Sequence, residues 1–323
     1  MASVELRGLT KRYGANAVVD DVSLTIESGE TVCLVGESGS GKSVTALSIA
    51  RLVSSPPARY VSGEIRLGGQ DVLQMSKKEL QTIRGGTVSY VFQEPSASLN
   101  PVFRVGTQIK EALKLHRPEA ATNDEVIRLL KLVGIPAPEL RLKDYPHQLS
   151  GGMQQRVMIA MAIASHPKLL IADEPTTALD VTIQAQIIDL LRELKQRLGM
   201  SILLITHNLG IVGDIADRVA VMYAGQIVEL APAKELLRRP LHPYTQALMH
   251  SVPKLSGDAA RLTAIPGNVP QMTALPSGCR FHPRCPKAQA DCSQKTPALL
   301  EVESNRWVRC PFWQHATPMV SNC

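Results

Sequence analysis

The eight residues Gly36–Ser43, GESGSGKS, constrain this chain more than any other stretch. They fit G-x-x-x-x-G-K-S without a mismatch, and their setting counts as much as the pattern. The apolar run Glu30–Val35 precedes them and the helical pattern Val44–Leu52 follows. A strand feeding a glycine-rich turn and then a helix aims successive backbone N–H groups, and the positive end of the helix, at one point. That arrangement cradles phosphate. Gly36, Glu37, Ser38, Gly39, Ser40, Gly41, Lys42 and Ser43 are therefore expected to bind a nucleotide. Lys42 is expected to reach its β- and γ-phosphates as a catalytic residue, and the Ser43 hydroxyl to ligate Mg2+. A chance glycine-rich turn is the competing explanation, and the strand and helix on either side weigh against it.

The rest of the pattern supports an α/β chain. Residues 4–7 and 18–26 alternate as edge strands, and Gly63–Leu67 and Val88–Phe92 read as further strands. Leu169–Ala172 and Ser201–Thr206 are continuous apolar runs, the mark of buried parallel strands, and Thr182–Leu198 is an amphipathic helix. Residues 96–165 are mostly helical, with breaks at Pro118, Pro136 and Pro146, and read as an insertion. Val219–Tyr223 and Gln226–Leu230, joined by Ala224–Gly225, read as a hairpin. At 323 residues the chain is long for one compact domain, so an appendage is expected beyond the main fold. Hydrophobic residues make up 44% but aromatics only 4%, which assigns the core to Leu, Ile, Val and Ala.

Leu169–Glu174 reads LLIADE, an apolar strand ending in two carboxylates. Asp173 is expected to hold Mg2+, directly or through water. Glu174 is placed to polarise the water that attacks a γ-phosphate. Ordinary solvation of a strand end is the alternative for the pair. Leu149–Gln154, LSGGMQ, then resembles the signature of the ABC ATPase family. Gln93 resembles that family's Q-loop glutamine, and Ala178–Asp180 its D-loop. His207 resembles its switch histidine, and Tyr13 the aromatic that stacks on adenine. A lone His or Tyr is more often structural, but these pieces stand in the family's order from Tyr13 to His207.

The resemblance implies a P-loop NTPase domain with a RecA-like parallel sheet core, an antiparallel β subdomain and the helical insertion (96–165). This ABC ATPase domain would span 1–230, with a small Cys-rich C-terminal extension over 231–323. It also implies a head-to-tail pair of such domains. Each ATP would lie between the P-loop of one and Ser150, Gly151 and Gly152 of the other. Gln93, beside the Mg2+, would link the metal site to the insertion, and Asp180 would line the nucleotide. Glu174 and His207 join Lys42 as the expected catalytic residues. Met153 stands where many members have Gln, a variant common in the peptide-import branch.

Two further segments resemble that branch, the dipeptide and oligopeptide import ATPases: FQEPSASLNP at 92–101 and RPLHPYTQAL at 239–248. This implies work with two transmembrane permease subunits, a second ABC ATPase as heterodimer partner and an extracytoplasmic peptide-binding protein. Nickel importers share much of the tail, so nickel or another small solute is the alternative cargo. Pro243 and Tyr244 could equally serve only to dock the tail. No apolar stretch approaches the roughly 18–20 residues that span a bilayer, and the first residues lack an apolar signal core. The expected location is the cytoplasmic face of the inner membrane, held there by partners. A net charge of +6 raises nucleic acid as a target. No Lys/Arg run of five or more, no second cassette and no sustained heptads support a soluble ABC ATPase of that kind, so no nucleic-acid partner is expected.

Five of the six cysteines fall at Cys279, Cys285, Cys292, Cys310 and Cys323. Five, six and seventeen residues separate the first four, without the close C-x2-C pairs usual for zinc. Four thiolates on a loop-rich segment suit a 4Fe–4S cluster, and some members of the branch with a similar tail hold one. Zinc, or four reduced thiols packing a small subdomain, are the alternatives. Cys33, in the core strand, is expected to be inert and Cys323 to be a spare thiol.

Overall fold

A computed structural model describes residues 2–177, 179–251 and 265–315; Ala178 of the expected D-loop and Cys323 lie outside the described residues. The chain folds as two compact units. One, the P-loop unit, comprises Val4–Thr25, Thr31–Gln70 and Thr206–Cys323; the other, the carboxylate unit, comprises Met1–Ser3, Ile26–Glu30 and Asp71–Ile205. The strands are β1 (Ala2–Tyr13), β2 (Asn16–Glu27), β3 (Thr31–Val35), β4 (Ala58–Leu67), β5 (Gln70–Asp71), β6 (Val88–Val91), β7 (Leu169–Asp173), β8 (Ser201–Thr206), β9 (Arg218–Tyr223), β10 (Gln226–Pro232), β11 (Leu300–Glu303) and β12 (Arg306–Val308).

In the P-loop unit a sheet runs β2-β1-β4-β5, with β1 and β4 antiparallel from Val4 opposite Leu67 to Tyr13 opposite Ala58. The pairing slips between Arg7 and Lys11. There Gly63, at φ 93°, lies so close to β1 that an added Cβ would sit 2.6 Å from the carbonyl oxygens of Arg7 and Gly8. Only glycine fits such a bulge. The unit's second set of strands runs β11-β12-β10-β9-β3. All five residues of β3 are buried, and it pairs in parallel with β9, Val32 opposite Arg218. β9 and β10 form the expected hairpin through Ala224 and Gly225, which take the positive φ such a tight turn needs. The tail then adds two strands that the sequence pattern does not announce: β12 pairs antiparallel with β10, and β11 with β12.

In the carboxylate unit β8, β7 and β6 are parallel neighbours, Leu169 facing both Val88 and Ser201. Their apolar residues are fully buried. Among the helices of the insertion, Val105–His116 buries Val105, Ile109 and Leu113 at four-residue spacing, one stripe of an α-helix. Asn123–Leu132 starts on the Thr122 hydroxyl, which accepts the Glu125 N–H, and buries Val126, Leu129 and Leu130. Both pack on the helix Gly151–Ile163. Truncating Ile109, Leu113, Leu129 or Leu130 to Ala would cost about 2–5 kcal/mol. Helix Val181–Leu198 is capped by Asp180 and stopped by Gly199 in the left-handed region. Among the described residues no helix is long and apolar enough to cross a membrane.

Candidate functional site

The P-loop follows directly from the buried end of β3. Gly36 turns at φ 151°, and a Cβ there would lie 2.2 Å from the Met222 carbonyl oxygen. Gly41, the N-cap of helix Lys42–Ser48, sits at φ 101° with the Val18 carbonyl oxygen 2.6 Å from where its Cβ would be. No side chain fits at either place, so the loop backbone lies flush on β2 and β9. The Gly225 N–H of the β9–β10 hairpin donates to the Ser40 carbonyl at 2.8 Å. Lys42 is buried, and its Nζ donates to the carbonyls of Gly36 (2.8 Å) and Glu37 (3.0 Å). Ser38, Gly39 and Ser43 are exposed along the loop. Tyr13 stands half-buried at the end of β1, opposite Ala58. His207 is exposed just past β8.

The carboxylate unit brings two expected residues together. Gln93, exposed two positions after β6, donates from Nε2 to Glu174 Oε2 at 3.0 Å. Thr177 donates its hydroxyl to the same oxygen at 2.9 Å. Asp173 ends β7, and Glu174, the next residue, takes φ 47°, the left-handed region that a non-glycine residue seldom occupies. Its N–H donates to the Ile205 carbonyl. Such strain costs about 1–3 kcal/mol and is held where surrounding contacts over-determine the backbone. Ser150 accepts the Met153 N–H at 3.4 Å and so caps helix Gly151–Ile163, whose first two residues are the signature glycines. A Cβ on Gly152 would stand 3.0 Å from Ile183 Cγ2, so the signature turn packs on the start of the helix that Asp180 caps. Gln154 holds the turn before it by donating to the carbonyls of Pro146 and Leu149. Thr177 escaped the sequence reading. Its only signal is its place three residues after a strand-end Glu.

In the tail, Cys279, Cys285, Cys292 and Cys310 are all half-buried and line one cavity of about 860 Å³, with Phe281, His282 and Trp313 on its wall. The Cys279 N–H donates to the Cys292 carbonyl at 2.7 Å, tying the first and third together. Burial raises the thiol pKa of Cys279, Cys285 and Cys310, the last to about 11, and the neighbouring thiols add to each shift. Among the described residues no three His, Cys, Asp or Glu side chains come together as ligands of a metal ion. Cys33 is wholly buried in β3, and burial lifts its thiol far above the ordinary range.

Comparison with known proteins adds a family to this geometry. Residues 19–177 match the model of the ABC transporter family, and residues 228–292 match that of the oligopeptide/dipeptide transporter C-terminal region. The oligopeptide transport ATP-binding protein AppD of Bacillus subtilis is 52% identical over 298 residues, 92% of this chain and 91% of that protein. The dipeptide transport ATP-binding protein DppD of Escherichia coli is 48% identical over 318 residues, 97% of each. Among solved structures, the ATP-binding cassette MJ0796, in a dimeric post-hydrolysis state bound to ADP and Pi, superposes with a TM-score of 0.63. It is 28% identical and covers 71% of this chain and 98% of its own. The structure of cbiO1 from Clostridium perfringens, part of an ABC transporter complex, superposes at 0.65, with 28% identity over 73% of this chain and 90% of its own.

Proposed function

Since this chain belongs to the ABC transporter family of ATP-binding subunits, we propose that it hydrolyses ATP to power the import of dipeptides and oligopeptides. The observation that carries this reading is the joint presence of a glycine-restricted P-loop, a capped LSGGM turn and a tail that matches the oligopeptide/dipeptide C-terminal region.

The residues take the following roles. The N–H groups of Gly39 to Ser43 bind phosphate oxygens, and Lys42 turns from the carbonyls of Gly36 and Glu37 to the β- and γ-phosphates. Tyr13 stacks on adenine. Ser43 and Asp173, with Gln93, would hold Mg2+, which supplies positive charge against the phosphates. Glu174 orients and deprotonates the attacking water. Gln93 and Thr177 hold its carboxylate until then, and His207 contacts the γ-phosphate. Two ATPase subunits pair head to tail, so that Ser150, Gly151 and Gly152 of one close on the nucleotide held by the P-loop of the other. Asp180 borders that interface. The partner is a sister ATPase rather than a second copy. The pair works beneath two permease subunits at the cytoplasmic face of the inner membrane, supplied by an extracytoplasmic peptide-binding protein.

The four tail cysteines would hold a 4Fe–4S cluster of structural role. What supports this is the donor set: four thiols line one cavity, the number that Cys₄ ligation takes, and a cationic centre that drew them together would offset the burial that now disfavours the thiolates of Cys279, Cys285 and Cys310. Anaerobic purification with iron and sulfide analysis tests it. About four irons and four sulfides per chain are expected under Cys₄ ligation, and a colourless protein, or one stoichiometric zinc, contradicts it. The transport reading is tested by isolating the chain from membranes. Permeases and a sister ATPase should come with it, and a strain lacking it should lose peptide uptake. Loss of nickel uptake with peptide uptake intact would reassign the cargo.

A further inference from the structure

The cysteine-bearing loop grips the P-loop. In Gly278–Cys285, GCRFHPRC, an arginine follows the first cysteine and another precedes the second. Arg284 is almost wholly buried and forks onto the P-loop carboxylate: its two terminal nitrogens donate to Glu37 Oε2 at 2.9 Å and Oε1 at 3.0 Å. Its remaining donors reach the Tyr223 hydroxyl and the carbonyls of Ile265 and Pro266. Arg280 donates to the Ala224 carbonyl and to Asp20. Ala224 belongs to the hairpin turn whose next N–H holds the Ser40 carbonyl. Between the arginines, Phe281 packs against Tyr223 and Tyr244, ring centroids 5.2 and 5.3 Å away. Tyr244 in turn accepts the Glu37 N–H at 2.9 Å. Successive turns, His282 N–H to Cys279 carbonyl and Cys285 N–H to His282 carbonyl, make the loop one piece, so a shift of either cysteine carries an arginine with it.

These contacts converge on one residue. Glu37 is held by its N–H from Tyr244, by its carbonyl from Lys42 and by its carboxylate from Arg284. When Lys42 turns to a phosphate it must release the carbonyls of Gly36 and Glu37. Tyr244 and Arg284 then keep the start of the loop in shape. A buried guanidinium–carboxylate fork suits that task, because its two parallel bonds fix orientation as well as distance. We propose that Arg284 is a positioning residue for nucleotide binding, through which the cysteine loop sets the affinity of the P-loop for ATP. The inference rests on the reading of the P-loop as the ATP site, but not on the identity of any metal held by the cysteines.

The test uses the full chain and reads ATP affinity and steady-state turnover together. Arg284→Ala should raise Kd and KM for ATP about tenfold, a coupling of ordinary allosteric size, while kcat changes little, because the loss is of ground-state positioning. Arg284→Lys, which keeps the charge but not the fork, should fall between. The double variant Arg284→Ala/Glu37→Gln should be no weaker than either single one. Should Arg284→Ala fail to fold, Cys285→Ala supplies the same readout: weaker ATP binding in the natural background and no further weakening on Glu37→Gln. Kd within twofold of the natural chain for Arg284→Ala or Cys285→Ala, or fully additive losses, overturns the proposal. A natural chain that binds no ATP overturns the reading of the site itself.

Discussion

At Glu37 the P-loop unit holds one residue from three sides, with a buried arginine and Lys42 donating to it and a buried tyrosine accepting its N–H. At Glu174 the carboxylate unit does nearly the reverse. There a carboxylate accepts from Gln93, which is exposed, and from Thr177, on a backbone held at φ 47°. The contrast matches the tasks proposed for the two. A phosphate cradle works by pre-organisation, so every N–H must already point inward when the ligand arrives. A general base must exchange partners, releasing side-chain donors to take a water proton. Rigid packing serves the first and exchangeable hydrogen bonds serve the second.

The comparison can be broken most sharply at the base. Glu174→Gln should leave ATP binding intact and cut turnover by about 10²–10⁴-fold, with the variant accumulating as an ATP-bound pair. Single-turnover kinetics with a filter-binding assay would separate the two effects. At the rigid end, Gly36→Ala places a methyl 2.2 Å from the Met222 carbonyl oxygen. About 3 kcal/mol of lost stability is expected, with ATP binding lost in the same step, measured by denaturant melts and calorimetry. Thr177→Val removes one donor from Glu174 without touching the cradle. Turnover should fall by about tenfold at unchanged ATP affinity, the worth of a hydrogen bond to a charged group. A larger fall in affinity than in turnover would erase the division between the two regions.

A further effect is expected from pH, and it bears on stability rather than on turnover. His242 is buried beneath the tail helix, and its Nδ1 accepts the Tyr244 N–H at 3.0 Å, a role only the neutral ring fills. Burial, with Arg309 nearby, holds its pKa down to about 3. Because the folded value lies below the unfolded one, the stability it brings is complete above about pH 6.5 and is lost as pH falls toward 3. The slope is at most about 1.4 kcal/mol per pH unit. His242→Asn keeps an acceptor for the cap and should flatten that slope in melts between pH 4 and 7. An unchanged slope would assign it elsewhere.

Much of this was legible in the sequence because its causes are local. A P-loop announces itself through glycines that its own backbone requires, and β7 and β8 through unbroken apolar runs. Asp180 and Gly199 bound their helix through cap chemistry that lies within the segment. What escaped depends on distant partners. Glu37 and Arg284 are 247 positions apart, and neither pattern contains the other. Strands β11 and β12 are too short to show a period, and β11 is partly exposed. The helix Lys77–Ile83 carried a readable sign, the capping box of Ser76 and Glu79, but its seven residues are too few for a clear apolar stripe.

The measurement closest to the central claim is ATP-driven uptake into proteoliposomes that contain this chain with the permeases and the sister ATPase proposed for it. Labelled dipeptide should accumulate in step with ATP hydrolysis. Both should stop in the Glu174→Gln variant while the nucleotide stays bound. Peptide uptake that continues at the natural rate when Glu174 is replaced, or ATP hydrolysis that proceeds without any peptide transport, would contradict the account.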